Sequence, residues 1–274
     1  MRYLVVADLH YALPQYDWVV NVAGEFDVVI MAGDHLDLAS VVDWRAQTVV
    51  VRKYIELIAA RTHLVTCSGN HDLDARDGAG EKVAKWIGEL GHFGVLADGQ
   101  SIRCQGTLFT ACPWWDGPLT RDRIAAQLSD AAALRDGGPW FWIHHAPPDK
   151  SPTSWDGHRY FGDEPLADWI GTFQPDIVFS GHVHQSPFVS EGSWVDRIGR
   201  TWVFNAGRQY GAPPSHIVID TEEQEAVWFS AAGVQSVRLD QPLQRPVPQL
   251  TALPGWVEGF VVRSMDQVAG RSPA

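Results

Sequence analysis

Five short apolar runs break off abruptly at polar residues: 3–7 (YLVVA), 27–31 (DVVIM), 63–66 (HLVT), 140–143 (WFWI) and 176–179 (DIVF). None shows the spacing of an amphipathic helix, and polar or turn residues bound each one, so the pattern predicts buried strands. Helical periodicity lies between them, around 15–23, 42–60, 81–90, 119–134 and 163–171. This alternation of strand and helix predicts α/β layers. From about residue 187 the helical pattern stops, and runs at 201–204, 215–219 and 225–229 predict a second, largely antiparallel sheet. Pro242, Pro246, Pro248 and Pro254 remove backbone donors that regular elements need. The expected organisation is therefore one body over 1–239 and an extended proline-rich segment over 240–274 that packs on it or trails from it.

The polar residues that end these runs change the picture from fold to chemistry. They are Asp8-Leu9-His10, Gly33-Asp34-His35, Gly69-Asn70-His71-Asp72, His144-His145 and Gly181-His182-Val183-His184. Singly, each has an ordinary explanation as a turn, a cap or a satisfied histidine. Together they follow strands whose carboxyl ends converge on one crevice in an α/β sheet. Burying that many carboxylates and imidazoles side by side is costly unless a cation compensates them. Carboxylate, amide and imidazole without thiolate suit Mn²⁺, Fe, Zn²⁺ or Co²⁺, and argue against Ca²⁺ and iron–sulfur chemistry. The number of groups exceeds what one catalytic ion with open positions accepts, so two ions sharing a carboxylate are expected.

Charge and composition narrow the partners. The 274 residues carry 21 Lys and Arg against 33 Asp and Glu, a formal net charge of −12, which disfavours a broad nucleic-acid surface. The start of the chain lacks a secretory apolar core, and no run of about 18 apolar residues suggests a membrane span. A cytoplasmic location is expected, with no signal for an oligomeric state. Cys67, Cys104 and Cys112 make neither a CxxC pair nor an even framework and read as thiols without a function.

In order, Asp8-x-His10, Gly33-Asp34-x-x-Asp37, Gly69-Asn70-His71-Asp72, His144 and Gly181-His182-x-His184 resemble the five-block signature of the calcineurin-like metallophosphoesterase superfamily. The resemblance spans Asp8 to His184 and leaves the last third of the chain without a motif. It implies a four-layer αββα sandwich, two mixed β-sheets flanked by helices, with the metal site at the carboxyl edge of the strands. It also implies two divalent metal ions (Mn²⁺, an Fe/Mn pair or Zn²⁺). One would be held by Asp8, His10, Asp34 and His184, the other by Asp34, Asn70, His144 and His182. Two histidines compete for the fourth block, and His144, directly after the apolar run, is the expected ligand.

A hydroxide held between the ions is the expected nucleophile. His71 is the expected general acid for the leaving group, with Asp72, or alternatively Asp37, orienting its ring. The substrate implied is a small organic or nucleotide phosphodiester. A phosphomonoester or a nucleotide pyrophosphate would use the same core, and a scaffold without chemistry should have lost ligands that here are all present. Arg208, His158, Arg159, Tyr160, Trp114, Trp115 and Trp155 lie in loops expected near the crevice.

Overall fold

The computed structural model describes residues 1–257. The chain opens β1 (Arg2–Val6), α1 (Leu13–Val22), β2 (Val28–Ala32), α2 (Trp44–Ala59) and β3 (His63–Cys67), and these strands pair in parallel. A small hairpin of β4 (Ala75–Arg76) and β5 (Lys82–Val83) precedes the short α3 (Lys85–Gly88). Then come β6 (Ser101–Cys104), β7 (Thr107–Ala111), α4 (Pro118–Ala133), β8 (Trp140–Ile143), α5 (Glu164–Phe173) and β9 (Ile177–Ser180). The remaining strands are β10 (Val195–Ile198), β11 (Thr201–Asn205), β12 (His216–Asp220), β13 (Glu225–Ser230) and β14 (Gly233–Arg238).

Two six-stranded sheets result, in the orders β14-β13-β12-β1-β2-β3 and β10-β11-β9-β8-β7-β6. Both are mixed: β1 runs parallel to β2 but antiparallel to β12, and β9 runs parallel to β8 and β11 while β10 opposes β11. Side chains alternate across each strand, which assigns the layers. Leu4 and Val6 of β1 join Tyr16 and Val19 of α1 and Val51 and Ile55 of α2 in one outer core. Tyr3 and Val5 meet Phe141 and Ile143 of β8 between the sheets. Trp140 and Trp142 pack with Ile124 and Leu128 of α4 and Leu166 and Ile170 of α5 in the other outer core. The order is helix, sheet, sheet, helix, as expected. Strands covered on both faces carry continuous apolar runs rather than alternation, which explains the unbroken patterns in the sequence.

Two expectations are corrected. The strands after residue 187 do not form a sheet of their own: β10 and β11 complete one sheet, and β12, β13 and β14 extend the other from β1. The helix expected over 81–90 shrinks to α3, because Lys82 and Val83 pair with Arg76 and Ala75. The proline-rich segment lies along the edge strand β14, with the Leu250 N–H donating to Val234 O and an isolated bridge between Gln235 and Gln249. Leu243 and Val247 pack against the inter-sheet core and Trp256 against the outer one. Residues 258–274 of the expected extension lie outside the described residues. Among the described residues, no helix is long and apolar enough to cross a membrane.

His216 of β12 links this packing to pH. Its ring stacks on Phe229 at 5.0 Å and lies 4.6 Å from Trp18, and burial pushes the imidazole down to about 4. The folded chain holds the neutral form, whereas the unfolded chain takes up a proton below about 6.5. This contribution is complete above that pH and is lost as pH falls from about 6.5 towards about 4. His216→Leu is expected to shrink the stability difference between pH 7 and pH 5 by about 2 kcal/mol, read from urea midpoints at the two pH values. An unchanged difference would show that His216 titrates normally.

Candidate active site

The carboxyl ends of β1, β2, β3, β8 and β9 deliver their polar residues to one crevice. Directly after the strands, Asp8, His10, Asp34 and His182 all have positive φ, between 41° and 66°. Such backbone is unfavourable for residues with a Cβ and persists where surrounding structure enforces it, often at functional sites. Here it turns the chain sharply, so that residues just beyond a strand reach a common point.

Two buried carboxylates organise the cluster, both held by backbone donors from other blocks. Asp34 Oδ1 accepts the His71 N–H at 2.9 Å, and both oxygens of Asp8 accept the His182 N–H, at 3.1 and 3.0 Å. Three glycines make room for this. A Cβ at Gly69 would collide with the Asp34 carboxylate, one at Gly181 with Asp8, and one at Gly33 with the His145 ring.

Imidazoles converge on the carboxylates from two sides. Asp8, His10, Asp34 and His184 bring one donor atom each within 4.8 Å of one another, and so do Asp34, His145 and His182. Asp34 belongs to both sets. His10 Nδ1 is bonded to Leu36 O at 3.2 Å, and its Nε2 stands 3.0 Å from His184 Nε2. His182 Nδ1 is 2.9 Å from Asn70 Oδ1, which brings Asn70 to the second set.

His145 replaces His144 in this geometry. Its Nδ1 donates to Ala32 O at 2.6 Å, while its Nε2 points at Asp34 Oδ2, 3.2 Å away, and lies 3.8 Å from Asp8 Oδ1. His144 faces the other way: Nδ1 bonds Ala146 O at 2.9 Å and Nε2 lies 3.7 Å from Asp163 Oδ2 on the α5 side. Strand alternation is the cause. His144 continues the outward positions of Trp140 and Trp142, and His145 the inward positions of Phe141 and Ile143.

Asp72 is also corrected. Its carboxylate does not meet the His71 ring but accepts the backbone N–H groups of His35, Leu36 and Gly69. Burial and the Asp34 charge push its carboxyl well above the usual range. It fastens the turn after β2 to the turn after β3, a framework role. His71 Nδ1 instead accepts the Leu38 N–H at 3.3 Å, and its ring stands edge-on to His10 at 4.5 Å. Asp37 joins His10 and His71 in a third such grouping.

The electrostatics ask for positive charge. Burial would raise Asp8 and Asp34, but the adjacent imidazoles of His184 and His145 hold both below the usual carboxylate range. Burial opposes charge on His145, yet Asp34 and Asp8 keep it protonated up to about 9. Burial pushes His10 and His182 down to about 4, which leaves neutral rings with lone pairs. Two carboxylates that draw in a proton for compensation, facing neutral imidazoles, form a donor set that divalent ions fit. The buried His145 Nε2, near Asp34 without a hydrogen bond of proper geometry, is the atom such an ion would satisfy.

A mixed α/β sandwich with this cluster at its strand ends has the build of a metal-dependent hydrolase. The calcineurin-like phosphoesterase model matches residues 1–186, and the chain belongs to that family, whose members hydrolyse phosphate esters with divalent metal ions. Among solved structures, TT1561 of Thermus thermophilus is similar over 87% of this chain and 98% of its own, with 14% identity and a TM-score of 0.55. The purple acid phosphatase PPD1 from yellow lupin (Lupinus luteus) seeds is similar over 91% of this chain and 52% of its own, with 14% identity and a TM-score of 0.51. At these identities the likeness concerns the fold. No curated protein sequence matches the chain.

Proposed function

We propose that the protein is a two-metal phosphodiesterase acting on a small organic or nucleotide phosphodiester. Asp8, His10, Asp34 and His184 would hold one divalent ion, and Asp34, Asn70, His145 and His182 the other, with Mn²⁺, Fe or Zn²⁺ matching the donors. When bound, the pair supplies positive charge to the phosphoryl oxygens and makes water a stronger acid. Asp34 would serve both ions, its carboxylate being common to the two donor sets and held in place by the His71 N–H on Oδ1. His71, whose Nδ1 accepts from Leu38, carries its proton on Nε2 when neutral and serves as the donor to the departing ester oxygen.

Arg208 carries the choice of a diester. Its backbone N–H donates to His184 O at 3.1 Å after the left-handed turn at Gly207. Its guanidinium lies over the Tyr210 ring at 5.4 Å, and its charge is felt at His10. Among the described residues Arg208 joins no ion pair. Arg208 is the guanidinium whose charge reaches the cluster, and one such group matches the single negative charge of a diester, whereas the terminal dianion of a monoester calls for further cationic groups there.

The test uses metal-stripped protein with Mn²⁺, Zn²⁺, Mg²⁺ or Fe²⁺ restored, comparing bis(p-nitrophenyl) phosphate with p-nitrophenyl phosphate. Metal-dependent turnover favouring the diester is expected. Arg208→Ala should lower kcat/KM for the diester by roughly tenfold to a hundredfold at unchanged metal content. A preference for the monoester would replace this reading with a phosphomonoesterase.

A further inference from the structure

Beside the cluster, at its His182 end, lies a pocket of about 520 Å³, a volume suited to a small organic group. Its inner wall is the Trp114 ring, 5.2 Å from the His182 ring and 5.7 Å from that of His145. Trp115 forms the next part and is fixed in place, since its indole N–H donates to Asp163 Oδ2 at 2.6 Å. Asp163 is itself immobilised as the N-cap of α5, accepting the Leu166 N–H at 2.8 Å. Tyr160 and Phe161, 46% and 40% exposed, line the outer side. Large aromatic side chains left open to solvent beside a rigid aromatic wall offer faces on which a planar ring stacks.

The rim adds polarity of both signs. The Arg159 guanidinium lies 4.1 Å from the centroid of the Phe161 ring, an arrangement that presents a flat cationic surface with free N–H donors. The exposed Glu164 lines the same pocket and supplies acceptors. Among the described residues neither Arg159 nor Glu164 is engaged in an ion pair. A simple phenyl ring would use the stacking faces but neither rim group. A ring with both acceptor nitrogens and amino donors on its edge would use all of them.

We propose that this pocket receives the nucleobase of a nucleotide ester, stacked against the tryptophan wall and read at its edge by Arg159 and Glu164, with the phosphodiester at the cluster beyond His182. The proposal deepens the phosphodiesterase reading and rests on it for the position of the phosphate. It is tested without a phosphate, by ligand-observed saturation-transfer NMR on the metal-loaded full chain with adenosine, and with ribose and phenol as controls.

Saturable transfer to the base protons of adenosine is expected, with little to ribose and weaker transfer to phenol. Arg159→Ala and Tyr160→Ala, both at exposed positions, should each weaken adenosine binding about tenfold. No saturable transfer to adenosine, equal binding of phenol, or wild-type affinity in both variants would overturn the assignment. Hydrolysis of bis(p-nitrophenyl) phosphate by the same wild-type preparation separates the two readings. Turnover without adenosine binding defeats the pocket alone, whereas adenosine binding without turnover upholds the pocket and defeats the phosphodiesterase.

Discussion

Asp34→Asn is expected to abolish metal-dependent hydrolysis, with turnover falling on the order of a thousandfold, and to reduce the metal content well below that of the wild type. The substitution keeps the shape of the side chain and an oxygen for the His71 N–H, which Asp34 Oδ1 accepts at 2.9 Å. What it removes is the negative charge common to both donor sets. A ligand private to one ion would leave the other in place, so the number of ions lost is the informative quantity. Elemental analysis after gel filtration, with circular dichroism to confirm folding, measures it. Full metal content with full turnover in Asp34→Asn would end the shared-ligand assignment.

The second large effect separates two adjacent histidines. His145→Gln should lower turnover by at least about a hundredfold and weaken binding of one ion, because the Nε2 that faces Asp34 Oδ2 at 3.2 Å is lost. His144→Gln should leave metal content and turnover close to wild type and instead cost about 1–3 kcal/mol of stability. Its ring is buried beside Asp163 and bonded to Ala146 O. Metal analysis and urea titration of the two variants form a complete cross. The reverse pattern, with His144→Gln losing metal and His145→Gln losing only stability, would restore His144 as the ligand.

The strands that build the crevice were legible because they are covered on both faces, so their apolar runs are unbroken. The edge strand β6 was not: its Ile102 is exposed and its Arg103 is polar, so it carries little apolar pattern. Of the late strands, β11, β12 and β13 were legible as strands but not by partner, since β12 pairs with β1 from the far end of the chain and nothing local specifies that choice; β10 and β14 were not read. At the site, Asp8, His10, Asp34, Asn70, His182 and His184 were marked by their position after strands, and the fold brings them together.

Choosing between His144 and His145 required knowing which face of β8 looks towards the other sheet. Alternation ties His145 to Phe141 and Ile143, but only the packed structure reveals that their face is the one with the cluster. Asp72 misled for a related reason. A carboxylate next to a candidate catalytic histidine in sequence can be claimed by backbone donors, and here His35 and Leu36 of the loop after β2 and Gly69 of its own turn occupy it.

The glycines that press on Asp34 and Asp8 impose a particular kind of precision. Because the main chain at Gly69 and Gly181 runs directly against the two carboxylates, their locations are set by the paths of the loops rather than by rotamer choice. On the proposed two-metal reading, the template for the ions is a property of how two loops nest, and the least bulky side chain that can be added at either glycine would be equivalent to moving a ligand. An enzyme built this way has little freedom to retune its centre by small steps. On the nucleobase proposal, variation in substrate would fall instead to the loops around residues 114–115 and 159–164, which line the neighbouring pocket.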